Sequence, residues 1–335
     1  MHPHMALNIE ECVELTHLKE KVTVVIPTRN AGMEFLLWSV FSLLLRSKPG
    51  GMLEHICVCI NGPDERQGDL SLENLKQQFL EELRDIDWYH ADDPKNRRAM
   101  PLTVIRVWSR VGYTEVFEMA LNWVHTDSYL IMHDDVFLKN SDWTQEVKEK
   151  FYDDDQVAIA YTPQLLGCVC DHAVHRGMYL LRMPQMQTTF LLCKKKWLMK
   201  VGALWRGFHI PSDDNMLQFE LEEMGDVDEF EKFWQDQDLY PNPILKTELY
   251  NFVRQEVGAW VYYKLFTNNF KFVKLNEDNI LHFEGMSLSN VTEDVKNKKI
   301  GDNLDDIRKL EELILAHPDY SRLYNKYLPS GIMEK

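Results

Sequence analysis

Between residues 22 and 138 four short apolar runs recur, each closed by a polar turn and each separated from the next by a segment of helical length. Val22-Thr23-Val24-Val25-Ile26 is β-branched throughout, as a strand covered on both faces requires, and it stops at Pro27. Glu54-His55-Ile56-Cys57-Val58-Cys59-Ile60 ends in the turn Asn61-Gly62-Pro63-Asp64, Leu102-Thr103-Val104-Ile105-Arg106-Val107 is the third run, and Tyr129-Leu130-Ile131-Met132 the fourth. Helices are expected between them over Met33 to Arg46, Leu70 to Arg84 and Tyr113 to Val124. Parallel neighbours need a crossover long enough to hold a helix, so this alternation predicts an α/β protein with a mostly parallel, Rossmann-like sheet flanked by helices. The charged stretch from Asp85 to Met100 has no apolar period and reads as a surface excursion.

After Asp135 the pattern loosens. Helix is expected over Trp143 to Tyr152, strand over Val157 to Tyr161, loop over Gly167 to Arg176, and strand again over Thr188 to Cys193, leading into a short basic helix through Val201. Pro211-Ser212-Asp213-Asp214 caps a helix whose apolar positions are Met216, Leu217, Phe219, Leu221 and Met224. An aromatic helix over Glu248 to Phe266, a strand over Phe270 to Leu275 and a charged helix over Asp302 to Ala316 complete the chain.

A hydrophobic content of 45% in 335 residues supports a sizeable core. The formal charge of −16 argues against nucleic acid and broad adsorption to anionic lipid, and no basic cluster exceeds Lys194-Lys195-Lys196. Six scattered cysteines do not form a disulfide framework, and Met1-His2-Pro3-His4-Met5 lacks the features of a signal peptide. No window reaches the ~18 apolar residues of a membrane span. A cytoplasmic location is the expectation, peripheral to a membrane only through an acceptor.

The fourth apolar run delivers His133-Asp134-Asp135 and then turns apolar again at Val136-Phe137-Leu138. A strand end of this kind is where open α/β sheets bind ligands, and carboxylates held there suit a hard divalent cation that shares its other positions with phosphate oxygens. Two acids after a strand also serve as an ordinary turn, with Ser141-Asp142 capping the next helix. Both readings stand on this stretch alone.

The succession Val24-Val25-Ile26-Pro27-Thr28-Arg29-Asn30, Asn61-Gly62-Pro63-Asp64, His133-Asp134-Asp135, Asp213-Asp214-Asn215-Met216-Leu217 and His282-Phe283-Glu284-Gly285-Met286-Ser287 resembles the family-2 glycosyltransferases of the GT-A fold. The resemblance runs from about residue 21 to 287. It implies a nucleotide-binding part over about 21–138, an acceptor and catalytic part over about 139–287, an N-terminal lead-in over 1–20 and a C-terminal helical extension over 288–335. The implied activity is an inverting transfer of a hexosyl or deoxyhexosyl group from a nucleoside-diphosphate sugar to a hydroxyl of a glycan or glycoconjugate.

The resemblance also implies roles for residues. Asp135 and His282 would hold Mn²⁺ or Mg²⁺ against the donor pyrophosphate, whose charge rises as the glycosidic bond breaks. Mixed carboxylate and imidazole ligation favours Mn²⁺. His133 stands where the family's acidic motif begins with Asp. Asp214, aligned by its spacing to Leu217, would be the general base, with Asp213 beside it. Pro27, Thr28, Arg29, Asn30, Asn61, Asp64 and Arg110, with His133 and Asp134, would line the donor nucleotide site. Many relatives carry an acid to read the nucleobase where Asn61 stands. Trp205 and His209 are candidates for the acceptor side, although tryptophan is more often core.

Three rivals are weighed against this. Cys168, Cys170, His172 and His175 offer zinc ligands at an unusual spacing. A sugar-phosphate nucleotidylyltransferase needs a glycine-rich basic loop after the first strand, where Pro27 to Gly32 has one glycine. A domain of the same fold that has lost catalysis would bind glycans or partners.

Overall fold

The computed structural model describes residues 20–28, 32–62, 71–90, 93–107, 113–163, 166–167, 173–175, 178–182, 185–186, 188–203, 205, 253–254, 259–283 and 292–328. The first half contains β1 (Val22–Thr28), α1 (Met33–Leu45), β2 (Leu53–Ile60), α2 (Ser71–Arg84), β3 (Asp87–His90), β4 (Asp93–Ala99), β5 (Leu102–Arg106), α3 (Tyr113–Leu121) and β6 (Ser128–Met132). Then follow β7 (Val136–Leu138), α4 (Asp142–Val147), β8 (Val157–Thr162), β9 (Leu166–Gly167), β10 (Ala173–His175), β11 (Met178–Arg182), β12 (Gln185–Met186), β13 (Phe190–Lys194) and α5 (Lys195–Lys200). The last elements are β14 (Val253–Arg254), α6 (Ala259–Thr267), β15 (Lys271–Lys274), β16 (Ile280–His282), α7 (Glu293–Asp302), α8 (Leu304–Ala316) and α9 (Pro318–Tyr327).

The central sheet has seven strands in the order β15-β8-β13-β6-β1-β2-β5. The expected mostly parallel α/β sheet is present: β13 alone runs against its neighbours, β6 and β8, while the remaining pairs are parallel. Alternate residues of each strand feed opposite layers. Val22, Val24 and Ile26 of β1 join Ile56, Val58 and Ile60 of β2 in a core with α1 and α2. Val25, Cys57 and Cys59 face a second core with Val116 and Phe117 of α3, Leu198 of α5, and Val261 and Leu265 of α6. The period of two along a strand covered on both sides gives this division directly.

Helix α1 is buried nearly all round, which a helix achieves only when roofed on its outer side as well. The roof is α8 and α9. Ile307, Leu310 and Ile314 of α8, with Tyr320, Leu323 and Tyr324 of α9, share the core of α1. The Trp38 indole N–H donates to the Tyr324 hydroxyl at 3.2 Å, and Phe41 meets Tyr320 with ring centroids 5.0 Å apart.

Four regions differ from the sequence reading, one being the aromatic helix expected over Glu248 to Phe266, where residues 253–254 form β14, paired with β11, and helix begins at Ala259. The excursion over 85–100 is an antiparallel hairpin, β3 with β4, anchored by buried Trp88 although every residue of β4 is exposed. The loop expected over 167–176 contains β10, paired with β11. The single charged helix expected near the C-terminus is preceded by α7, capped by the Thr292 side chain, and followed by α9, which opens with Pro318 after the His317 cap. Proline is favoured at a first helical position because its missing N–H would have no intrahelical partner there.

Candidate metal centre

Strand β1 leads to β2 and β5 on one side of the sheet, and the chain then returns to place β6 on the other side of β1. The carboxyl ends of β1 and β6 therefore flank the point where strand order reverses, the usual ligand crevice of such a sheet. Thr28 closes β1, and His133-Asp134-Asp135 form the turn between β6 and β7, with the Val136 N–H donating to the His133 carbonyl at 3.2 Å.

A second ladder brings His282 there from far along the chain. β16 pairs antiparallel with β7, setting Ile280 opposite Leu138, Leu281 opposite Phe137 and His282 opposite Val136. The Phe283 N–H continues the ladder onto the Asp135 carbonyl at 2.9 Å. The Phe283 ring packs on Phe35 at 5.2 Å and on Trp38 and Phe137 at 5.8 Å each, so the end of β16 is fastened to the core.

His282 Nε2 lies 3.6 Å from Asp135 Oδ1, and His133 Nδ1 lies 4.0 Å from the same oxygen. One ligand atom from each of His133, Asp135 and His282 falls within 4.8 Å of the other two. Two imidazoles and a carboxylate at this spacing fit a transition-metal ion with positions left for other oxygens. The far nitrogen of His133, Nε2, is 3.0 Å from Thr188 Oγ1, a hydrogen bond that fixes the ring with Nδ1 toward Asp135, as a metal-binding imidazole requires. Burial pushes the His133 imidazole down to about 4, against the pull of Asp135, with His282 acting in the same downward sense. The ring is neutral near pH 7, the form that binds metal.

Asp134 turns the other way. Its Oδ2 accepts from Thr28 Oγ1 at 2.5 Å, and Lys76 of α2 donates to the same hydroxyl at 2.7 Å, with its ammonium 3.9 Å from Asp134 Oδ2. Lys76 and Asp134 are both buried. Asn61 is buried too, and its N–H donates to the Thr28 carbonyl at 2.9 Å. Pro27 is buried in register with Cys59.

The structure thus brings Thr28, Asn61, His133, Asp134, Asp135 and His282 to one end of the sheet. Trp205 lies elsewhere: it is buried against Phe117 at 5.8 Å, and its indole N–H donates to the Tyr129 hydroxyl at 2.5 Å. Arg29, Asn30, Asp64, Arg110, His209, Asp213 and Asp214 lie outside the described residues, as do Cys168, Cys170 and His172.

Lys76, Glu73 and Thr188 escaped the sequence reading. A signal existed for the first two. Stepping back by helical turns from the buried Leu83, Leu80 and Phe79 lands on Lys76 and then Glu73, both buried, while Leu75 is exposed.

No family model matches the chain, and no curated protein matches it. Among solved structures it is similar to a mannosyltransferase from Pyrobaculum calidifontis in complex with GDP-mannose and Mn²⁺, at 12% identity over 93% of this chain and 76% of that one, with a TM-score of 0.41. It is also similar to TarS of S. aureus in complex with UDP-GlcNAc, at 13% identity over 92% and 71% of the two chains, TM-score 0.37. A third is the glycosyltransferase GlyE of Streptococcus pneumoniae, at 11% identity over 92% and 64%, TM-score 0.40.

Proposed function

We propose that the chain is a metal-dependent, inverting glycosyltransferase that moves a sugar from a nucleoside diphosphate to an acceptor hydroxyl of a glycan or glycoconjugate. The observation that carries this reading is the convergence of His133, Asp135 and His282 within 4.8 Å, at the reversal point of strand order beside Thr28 and Asn61. A divalent cation held there, Mn²⁺ before Mg²⁺ for a donor set with imidazole, would supply charge stabilisation for the departing pyrophosphate.

The chain's own residues divide the remaining work. Asp135 is the carboxylate of the centre, and His282 is set beside it by the β7–β16 ladder. Asp134 and Lys76 hold Thr28, which fixes the end of β1 against the turn that carries the ligands. Asp214, with Asp213 adjacent, is assigned to take the acceptor proton, as the order of sequence motifs suggests. A base on the face opposite the leaving group implies one in-line displacement and inversion.

The test is a heat-shift series with nucleoside diphosphates, with and without Mn²⁺, followed by transfer assays. Wild type and Asp214→Asn should both be stabilised by nucleotide with Mn²⁺, while only wild type transfers sugar. Asp135→Asn should lose the metal-dependent part of the stabilisation. Absence of any Mn²⁺-dependent stabilisation by a nucleoside diphosphate would leave a glycan- or partner-binding domain as the reading.

A further inference from the structure

Helix α1 carries two serines that its apolar surroundings do not explain. Ser39 and Ser42 are both buried, set in sequence among Trp38, Val40, Phe41 and Leu43. A hydroxyl taken out of water is costly unless it is hydrogen-bonded, and a spacing of three puts the two on one side of the helix. That side faces β7 and the turn before it. Ser39 Oγ donates to the His133 carbonyl at 3.5 Å, and the Leu138 N–H donates to Ser42 Oγ at 3.0 Å.

The ladder of β7 shows what the second bond does. Along an antiparallel pair, alternate residues turn their backbone groups toward the partner strand or away from it. Asp135 and Lys139 turn toward β16: the Asp135 carbonyl accepts from the Phe283 N–H, and the Lys139 N–H donates to the Asn279 carbonyl, each at 2.9 Å. Val136 and Leu138 turn the other way. The Val136 N–H goes to the His133 carbonyl within the turn, and the Leu138 N–H goes to Ser42. The helix fixes the sense of this last bond, because Ser42 Oγ donates its proton to the Ser39 carbonyl at 2.9 Å and presents lone pairs to β7. Helix α1 thus satisfies one edge of β7 while β16 satisfies the other.

We propose that Ser42 is a positioning residue for the candidate metal centre, fixing β7 against α1 so that Asp135 and His282 meet His133. This rests on the metal-centre part of the reading above. Asp135 and His282 both ride on the β7–β16 ladder, whereas the His133 N–H is held by the Thr189 carbonyl, just before β13, at 3.0 Å. Without the Ser42 oxygen the Leu138 N–H is left buried and unpaired, a state a strand relieves by shifting toward another acceptor. Such a shift moves two ligands relative to the third, and a binding constellation tolerates only about 0.5 Å of misplacement.

Ser42→Ala removes the oxygen and little volume, and alanine is the better helix former, so α1 itself is not weakened. Calorimetric titration of the full chain with Mn²⁺ should show affinity about tenfold below wild type, as for loss of an outer-shell partner. The electron paramagnetic resonance signal of the bound Mn²⁺ should change shape, and the Leu138 amide should exchange faster in metal-free protein. Ser42→Thr, which keeps the hydroxyl, should restore all three. Ile314→Val, a packing change in the roof of α1, should lower the urea midpoint and leave all three as in wild type. Wild-type Mn²⁺ affinity and signal in Ser42→Ala, or the same losses in Ile314→Val, would overturn the assignment and leave the metal centre standing. Wild type that binds no Mn²⁺ would overturn both.

Discussion

At the scale of single residues the telling group is Lys76. It is fully buried, and its ammonium faces Thr28, Asp134 and, at longer range, Glu73 and Glu34. Burial draws its pKa down while those acids draw it up. Breaking a buried pair from one side strands the other charge, a cost of about 3–5 kcal/mol. Lys76→Met is therefore expected to destabilise the chain by roughly that amount in urea unfolding at pH 7, and Lys76→Met with Asp134→Asn should recover a substantial part. A single variant within about 0.5 kcal/mol of wild type, the scatter of ordinary surface changes, would contradict the burial argument. Lysine and glutamate three apart on a helix read from sequence as a solvated pair. Only the phase of the apolar stripe through Phe79, Leu80 and Leu83 shows that they face inward.

At the scale of elements, the candidate metal centre depends on a ladder of three residue pairs. β16 is short, and His282 and Leu281 are only half buried, so their position is owed to β7 and to Phe283. Removing the Phe283 ring from the cluster of Phe35, Trp38 and Phe137 should cost about 3–5 kcal/mol and free the end of β16. Phe283→Ala is thus expected to weaken Mn²⁺ binding although no ligand is altered, and Phe283→Leu should largely restore it. Titration of each folded variant with Mn²⁺, checked against its urea midpoint, separates the two effects. Equal metal affinity in wild type and Phe283→Ala would show that His282 is placed by other means.

At the scale of the whole molecule, neutral histidines are spread through the fold. Burial lowers His55, His133 and His317, the last serving as N-cap of α9 through Nδ1, which accepts from the Tyr320 N–H at 3.4 Å. Each folded-state pKa lies below the unfolded value, so between them the unfolded chain binds more protons and stability falls as pH drops. For His133 the window runs from 6.5 down to about 4. Metal-free protein should therefore lose stability steadily from pH 6.5 to about 5, before most carboxylates titrate, and His133→Gln should flatten the slope. A urea midpoint constant over that interval would show that these rings are not neutral in the fold. Protonating His317 would also remove the acceptor that caps α9, so the helices roofing α1 should loosen first, a difference visible in amide exchange.

The sequence by itself determined the layered α/β architecture. Val22 to Ile26, Glu54 to Ile60, Leu102 to Val107 and Tyr129 to Met132 are strands by composition, and the helices between them oblige a parallel sheet. It also placed His133-Asp134-Asp135 at a strand end, because the switch from apolar to ionisable is local. Tertiary structure alone decided what those groups meet. The reversed direction of β13 and the charged hairpin of β3 and β4 have no local signature, since a strand's direction and an exposed strand's existence are set by its neighbour. Nor does local sequence say that Asp134 turns toward Lys76 while Asp135 turns toward His282. Those pairings are made by distant segments, and their energy comes from burial and charge compensation that exist only once the sheet has closed.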